Sequence, residues 1–178
     1  MESIEQYLST KLKLTINKGK SAVARPVERK FLGFSFTTGK MPKRRIAPQA
    51  LLRFKEQIRE ITRSPKGMEV SRTIEKLAKY LIGWRGYFGH GETPSVLGNL
   101  DRWLRRRLRS VMWRQWKRGS HRFVELTKRG VNTDLAARIV GSVHGPWRLS
   151  NSPALAIALP NAYFAAMGLP PLKVRRNA

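Results

Sequence analysis

The stretch from Leu97 to Arg118 constrains the fold more than any other part of the chain, because it must be helical and must be covered. Its residues Leu97, Leu100, Leu104, Leu108 and Val111 recur at intervals of three and four. At about 100° per residue they form one apolar stripe, which is buried only where other elements lie on it. The opposite side carries Arg102, Arg105, Arg106 and Arg109, followed by Trp113, Trp116, Lys117 and Arg118. Asp101 is the one acid in the segment, so the four guanidinium groups lack local compensation. Guanidinium groups fork onto phosphates and stack on bases, and indoles are stacking platforms. The segment reads as a helix buried on one side and turned to nucleic acid on the other. A solvated basic face with core tryptophans is the plainer alternative, and it is the reading taken for Trp103.

The rest of the chain has the same bias. Its 178 residues hold 36 Lys and Arg against 11 Asp and Glu, a net charge of +25. Such a charge repels itself unless a polyanion lies close, and nucleic acid is the usual one. Membrane surfaces favour a single basic amphipathic helix, whereas here the basic residues run from Lys11 to Arg176. No apolar run approaches the length of a membrane span. The absence of cysteine excludes disulfides, zinc ribbons and a thiol nucleophile, and fits a reducing, cytoplasmic setting. His90, His121 and His144 are too widely spaced for a local metal motif. Asp101 and Asp134 are the only aspartates, and no two of the glutamates are adjacent. Two-metal phosphoryl chemistry needs clustered carboxylates, so the chain alone is expected to be neither a catalyst nor a metal binder. Gly19-Lys20-Ser21 mimics the end of a phosphate loop, but Leu14 stands where its first glycine belongs.

The pattern predicts an α+β chain, β-rich at first and helical afterwards. A helix over 2–11 leads into a strand over Leu12–Ile16, a turn at Asn17-Lys18-Gly19-Lys20 and a short strand at Ala22–Ala24. A third strand, Phe31–Phe36, carries Leu32, Phe34 and Phe36 on one side. It turns at Thr37–Lys40 towards Arg44-Arg45-Ile46. Pro48 changes the regime. Helices are expected over 49–62, 71–89 and 93–118, with a break at Ser64–Gly67 and Thr93 as a cap ahead of Pro94. Shorter helices follow at 119–129, 132–142 and 152–167, the last interrupted by Pro160. Arg72, Lys76 and Lys79 lie opposite the apolar stripe of the 71–89 helix. Arg85 lies on its apolar side, where Glu92 or a phosphate would serve as partner. Lys11, Lys13, Lys18 and Lys20 read equally as a solvated turn or as a ligand cluster.

Several pieces, in their order and spacing, resemble the C-terminal part of a bacterial group II intron reverse transcriptase, or maturase, closest to the group IIC type. They are Lys13–Asn17 with Lys20-Ser21, Phe31–Phe34, Gly83–Phe88, Trp103–Arg109, Trp113–Arg118 and Gly168-Leu169-Pro170. The resemblance implies that residues 1–48 are the end of the palm, 49–118 a helical thumb or X (maturase) domain, and 119–178 a helical region similar to the DNA-binding region. It implies that Phe31, Leu32 and Gly33 line the primer side. Arg102, Arg105, Arg106, Arg109 and Lys117 would face template–primer or intron RNA. The implied partners are group II intron RNA, an RNA template–primer, target DNA and a separate fingers–palm half. The full-length enzymes of the family use Mg2+, but no cofactor is expected here. The family's catalytic motif, a tyrosine, a small residue and two aspartates, is absent from this sequence. A truncated frame, a split half or an excised piece is expected. The leading expectation is a non-catalytic RNA-binding module that assists splicing and holds template–primer. Its rivals are half of a split RNA-directed DNA polymerase and a generic ribosomal-type basic protein.

Overall fold

Two prolines and one apolar stripe organise the helical part. In a computed structural model, which describes residues 2–17, 19, 21, 23–63 and 69–173, helix α1 spans Glu2–Thr10. A hairpin follows, formed by β1 (Phe34–Phe36) and β2 (Arg44–Ile46). Pro48 and Pro94 each stand in the first turn of a helix, where their missing N–H costs nothing: α2 (Pro48–Thr62) and α4 (Pro94–Gln115), with α3 (Val70–Phe88) between them. The tail comprises α5 (Gly119–Lys128), α6 (Thr133–Val140), α7 (Pro146–Leu149), α8 (Pro153–Ala158) and α9 (Asn161–Ala166). Pro160 separates the last two, as its position in the sequence predicts.

The three long helices share a core. Phe54 and Ile58 of α2, Ile74, Leu77 and Leu81 of α3, and Leu100, Leu104 and Leu108 of α4 are buried in one cluster. Each such side chain contributes about 1.5–3 kcal/mol on transfer from water. The same cluster continues without a break into Leu126, Ala136, Leu155, Phe164 and Leu172 of the tail. Helix α4 is therefore covered on two sides. Its leucine stripe meets α2 and α3, and its other side, including Met112 and Trp113, meets the tail. Gly130, at φ 82°, ends α5 in a left-handed turn in which the Val131 N–H donates to the Leu126 carbonyl over 3.1 Å.

The β-rich region is smaller than its alternation predicts. Residues 12–16 and 23–25 form no strand, and Ala22, Lys18 and Lys20 lie outside the described residues, as does the expected break at Ser64–Gly67. Alternation makes a strand only where a partner supplies the ladder, and among the described residues the sheet is the β1–β2 pair, with Phe34 opposite Ile46. Leu32 is not in the strand. Phe31 and Phe34 exchange backbone hydrogen bonds of 2.9 Å around Leu32 (φ 48°) and Gly33 (φ 77°), both left-handed as a type I′ turn requires. Inside β1 the buried residue is Ser35, while Phe34 packs half-buried on Tyr87 and Phe88.

Helix α4 also stops earlier than the expected 118. Trp116 leaves helical geometry, and its carbonyl accepts from Arg122 Nε at 2.6 Å, a side-chain bond that replaces the next turn. Thr93 stands at the N-cap position, but its hydroxyl does not cap the helix and is buried without a partner among the described residues.

Candidate nucleic-acid interface

Because the tail docks on the arginine side of α4, three of the four predicted arginines, Arg105, Arg106 and Arg109, are buried or half-buried rather than on an open face. Arg106 stacks on Trp147, 4.2 Å from ring centroid to guanidinium carbon, and donates to the Trp147 carbonyl at 3.1 Å. Arg109 Nε donates to the Leu159 carbonyl at 2.9 Å. Burial first, and then the charge of Arg105, push the Arg109 pKa below its ordinary value. Arg102 is exposed and donates to Asn99 Oδ1 at 2.5 Å. Arg105 departs most from the expectation. It is only 6% exposed, with one terminal nitrogen 3.4 Å from Asp101 and its Nε and other terminal nitrogen unpartnered. The four arginines, with Asn151 and Asn161, line a cavity of about 430 Å³.

The predicted stacking platforms are corrected. Trp113 and Trp116 are 1% and 6% exposed and belong to the core. Helix α5 covers them: Arg122 lies 4.7 Å from the Trp113 ring and Arg129 lies 5.2 Å from that of Trp116. Burying an indole outweighs keeping it free for a base when a neighbouring helix supplies cations to its π-face. Lys117 and Arg118 stay exposed beyond the helix end. On α3, Arg72, Lys76 and Lys79 are exposed as expected, but Lys79 pairs with Glu75 at 2.9 Å and holds that carboxyl below its usual range. Arg85 is half-exposed and does not pair with Glu92. It donates to the Pro171 carbonyl at 3.0 Å, while Glu92 accepts from the Arg44 N–H at 2.6 Å. Phe31, which flanks the type I′ turn, and Leu32, at its tip, are 76% and 65% exposed. Gly33, the other central residue of the turn, has the Phe88 ring 3.0 Å from where a Cβ would stand.

A second set of cations emerges once α2 and α4 lie side by side. Lys55, Arg59 and Arg63 follow each other at i, i+4 and i+8 along α2, a spacing that could have disclosed them. Lys55 and Arg59 each lie 5.7 Å from the ring of half-buried Trp103 on α4. Arg107 joins them from α4, its Nε 3.0 Å from Thr62 Oγ1. Burial, then the like charges of Arg114, Arg59 and Arg63, lower the Arg107 pKa. Among the described residues no carboxylate lies within ion-pair distance of these five cations. Trp103 lines the arginine cavity as well, so the two cationic features share one indole. Also among the described residues, no cluster of His, Asp and Glu could hold a metal ion, and no helix is long and apolar enough to cross a membrane.

Residues 51–130 match the family described as the group II intron, maturase-specific domain. No curated protein matches the chain. The matched span runs from α2 to the end of α5, and so includes Lys55, Arg59, Arg63, Trp103, Arg107 and Arg114.

Proposed function

We propose, from the premise that the chain carries a group II intron maturase-specific domain over residues 51–130, that it binds the intron's RNA and assists splicing by holding that RNA rather than by chemistry. The observation that carries this reading is the unneutralised surface between α2 and α4. Lys55, Arg59, Arg63, Arg107 and Arg114 supply positive charge with no carboxylate in ion-pair distance among the described residues, and Trp103 supplies a half-buried aromatic ring beside it. Phosphates satisfy the cations and set the register of the RNA, while a base stacked at Trp103 contributes sequence-tolerant affinity. An RNA template–primer offers the same chemistry and is the second ligand that this surface suits.

The test compares a group II intron RNA with an unrelated structured RNA of equal length, and measures splicing of the intron with and without protein. A preference of about 10-fold, roughly 1.4 kcal/mol, together with faster splicing, is expected. Equal affinity for both RNAs and no effect on splicing would refute the assignment and leave a generic basic protein.

A further inference from the structure

The cavity over the arginine side of α4 reaches past the maturase-specific segment, since Asn151 and Asn161 of the tail form part of its wall. We propose that this cavity seats one nucleotide phosphate, with Arg102, Arg105, Arg106 and Arg109 around the anion and the attached nucleoside beside Trp103. The proposal takes from the RNA-binding reading only the identity of the strand.

Three observations converge on it. First, Arg105 is more than nine-tenths buried, and its Nε and one terminal nitrogen have no acceptor among the described residues. A buried guanidinium with two idle donors is costly until an anion or an ordered water completes it. Second, the charge is not balanced locally. Asp101 is the acid paired with Arg105, and its other oxygen already accepts from the Leu172 N–H at 3.2 Å. Four cations around one such carboxylate leave a net positive site that suits a dianion or a phosphodiester. Third, the cavity of about 430 Å³ is far larger than a phosphate alone, and its wall includes the Trp103 indole and amide side chains. Those are the groups that accommodate a base and a sugar.

The test follows the arginine Nε–H signals of the whole chain by NMR while inorganic phosphate is added at constant ionic strength. The Arg105 and Arg109 signals should shift and saturate. R102Q removes a cation that holds no part of the tail, and N151D adds a carboxylate at the wall without changing side-chain size. Both should weaken phosphate binding, by roughly 5-fold and 10-fold at an intermediate dielectric. No shift, or parental titrations in both variants, would overturn the proposal. Competition then separates the sources. A short oligoribonucleotide that displaces phosphate assigns the site to a strand, and displacement by adenosine monophosphate alone assigns it to a free nucleotide. If neither displaces phosphate, the nucleoside part of the proposal is wrong. A silent phosphate titration with intron preference intact removes the cavity but not the function. A saturating one without intron preference does the reverse.

Discussion

Neutralising Arg59, Arg63 and Arg114 together to glutamine tests whether the α2–α4 surface meets phosphates. All three are exposed, and none makes an ion pair among the described residues, so the fold should lose little beyond the Arg59 contact with Trp103. That contact is worth about 0.5–1 kcal/mol at an exposed site. Counterion release lowers log K by about 0.7 per decade of salt for each single-strand phosphate contact, so three lost contacts flatten the salt slope by about 2. At about 0.15 M salt each contact contributes roughly 0.6 of a log unit, so the triple variant should bind about 50-fold more weakly, about 2.4 kcal/mol. The assay is filter binding to intron RNA across a salt series, with Lys40, Lys128 and Arg138, exposed elsewhere, neutralised as the matched control. The control should flatten the slope by less than half as much. Equal slopes for the two triple variants would refute the assignment, because the effect would then follow net charge and not place.

Further perturbations address the fold. Leu32 is exposed in a left-handed turn that favours asparagine or glycine, so L32N should stabilise the chain by about 0.5–1 kcal/mol, read by urea unfolding. G33A, by contrast, meets both positive φ and the Phe88 ring, and should cost more than about 1 kcal/mol in the same assay. W113A should destabilise by about 3–5 kcal/mol, as for a buried core aromatic. Its RNA affinity per folded molecule should be unchanged, which a base-stacking Trp113 would not allow. R85Q should lower the melting temperature by removing the donor to Pro171, about 1 kcal/mol for a half-exposed bond, and should leave RNA affinity as it was.

What could be read in advance follows from which contacts are local. Pro48, Pro94 and the leucine stripe of α4 are local signals, and they place the helices and the first buried face. A helical wheel also groups Arg102, Arg105, Arg106 and Arg109 correctly. It does not say which element covers a face, and here α7 to α9, some forty to sixty residues downstream, do so. The same non-local packing decides that Trp113 and Trp116 are core. The i, i+4, i+8 spacing of the α2 cations is legible, but its meaning depends on α4 lying alongside with Trp103 and Arg107. The alternation over Leu12–Ile16 overstates the sheet for the converse reason, since no described strand pairs with it.

The placement of Trp103 links the two cationic features thermodynamically. A ligand on the α2–α4 surface and one in the cavity bear on the same ring and draw on one reserve of positive potential. Two separate anions therefore compete, since the first to arrive weakens the field that the second would feel. A single strand long enough to span both positions escapes that penalty in part, because its second engagement is intramolecular. Affinity on this face should accordingly rise in a step, at the strand length that first bridges the indole, and not in proportion to the number of nucleotides.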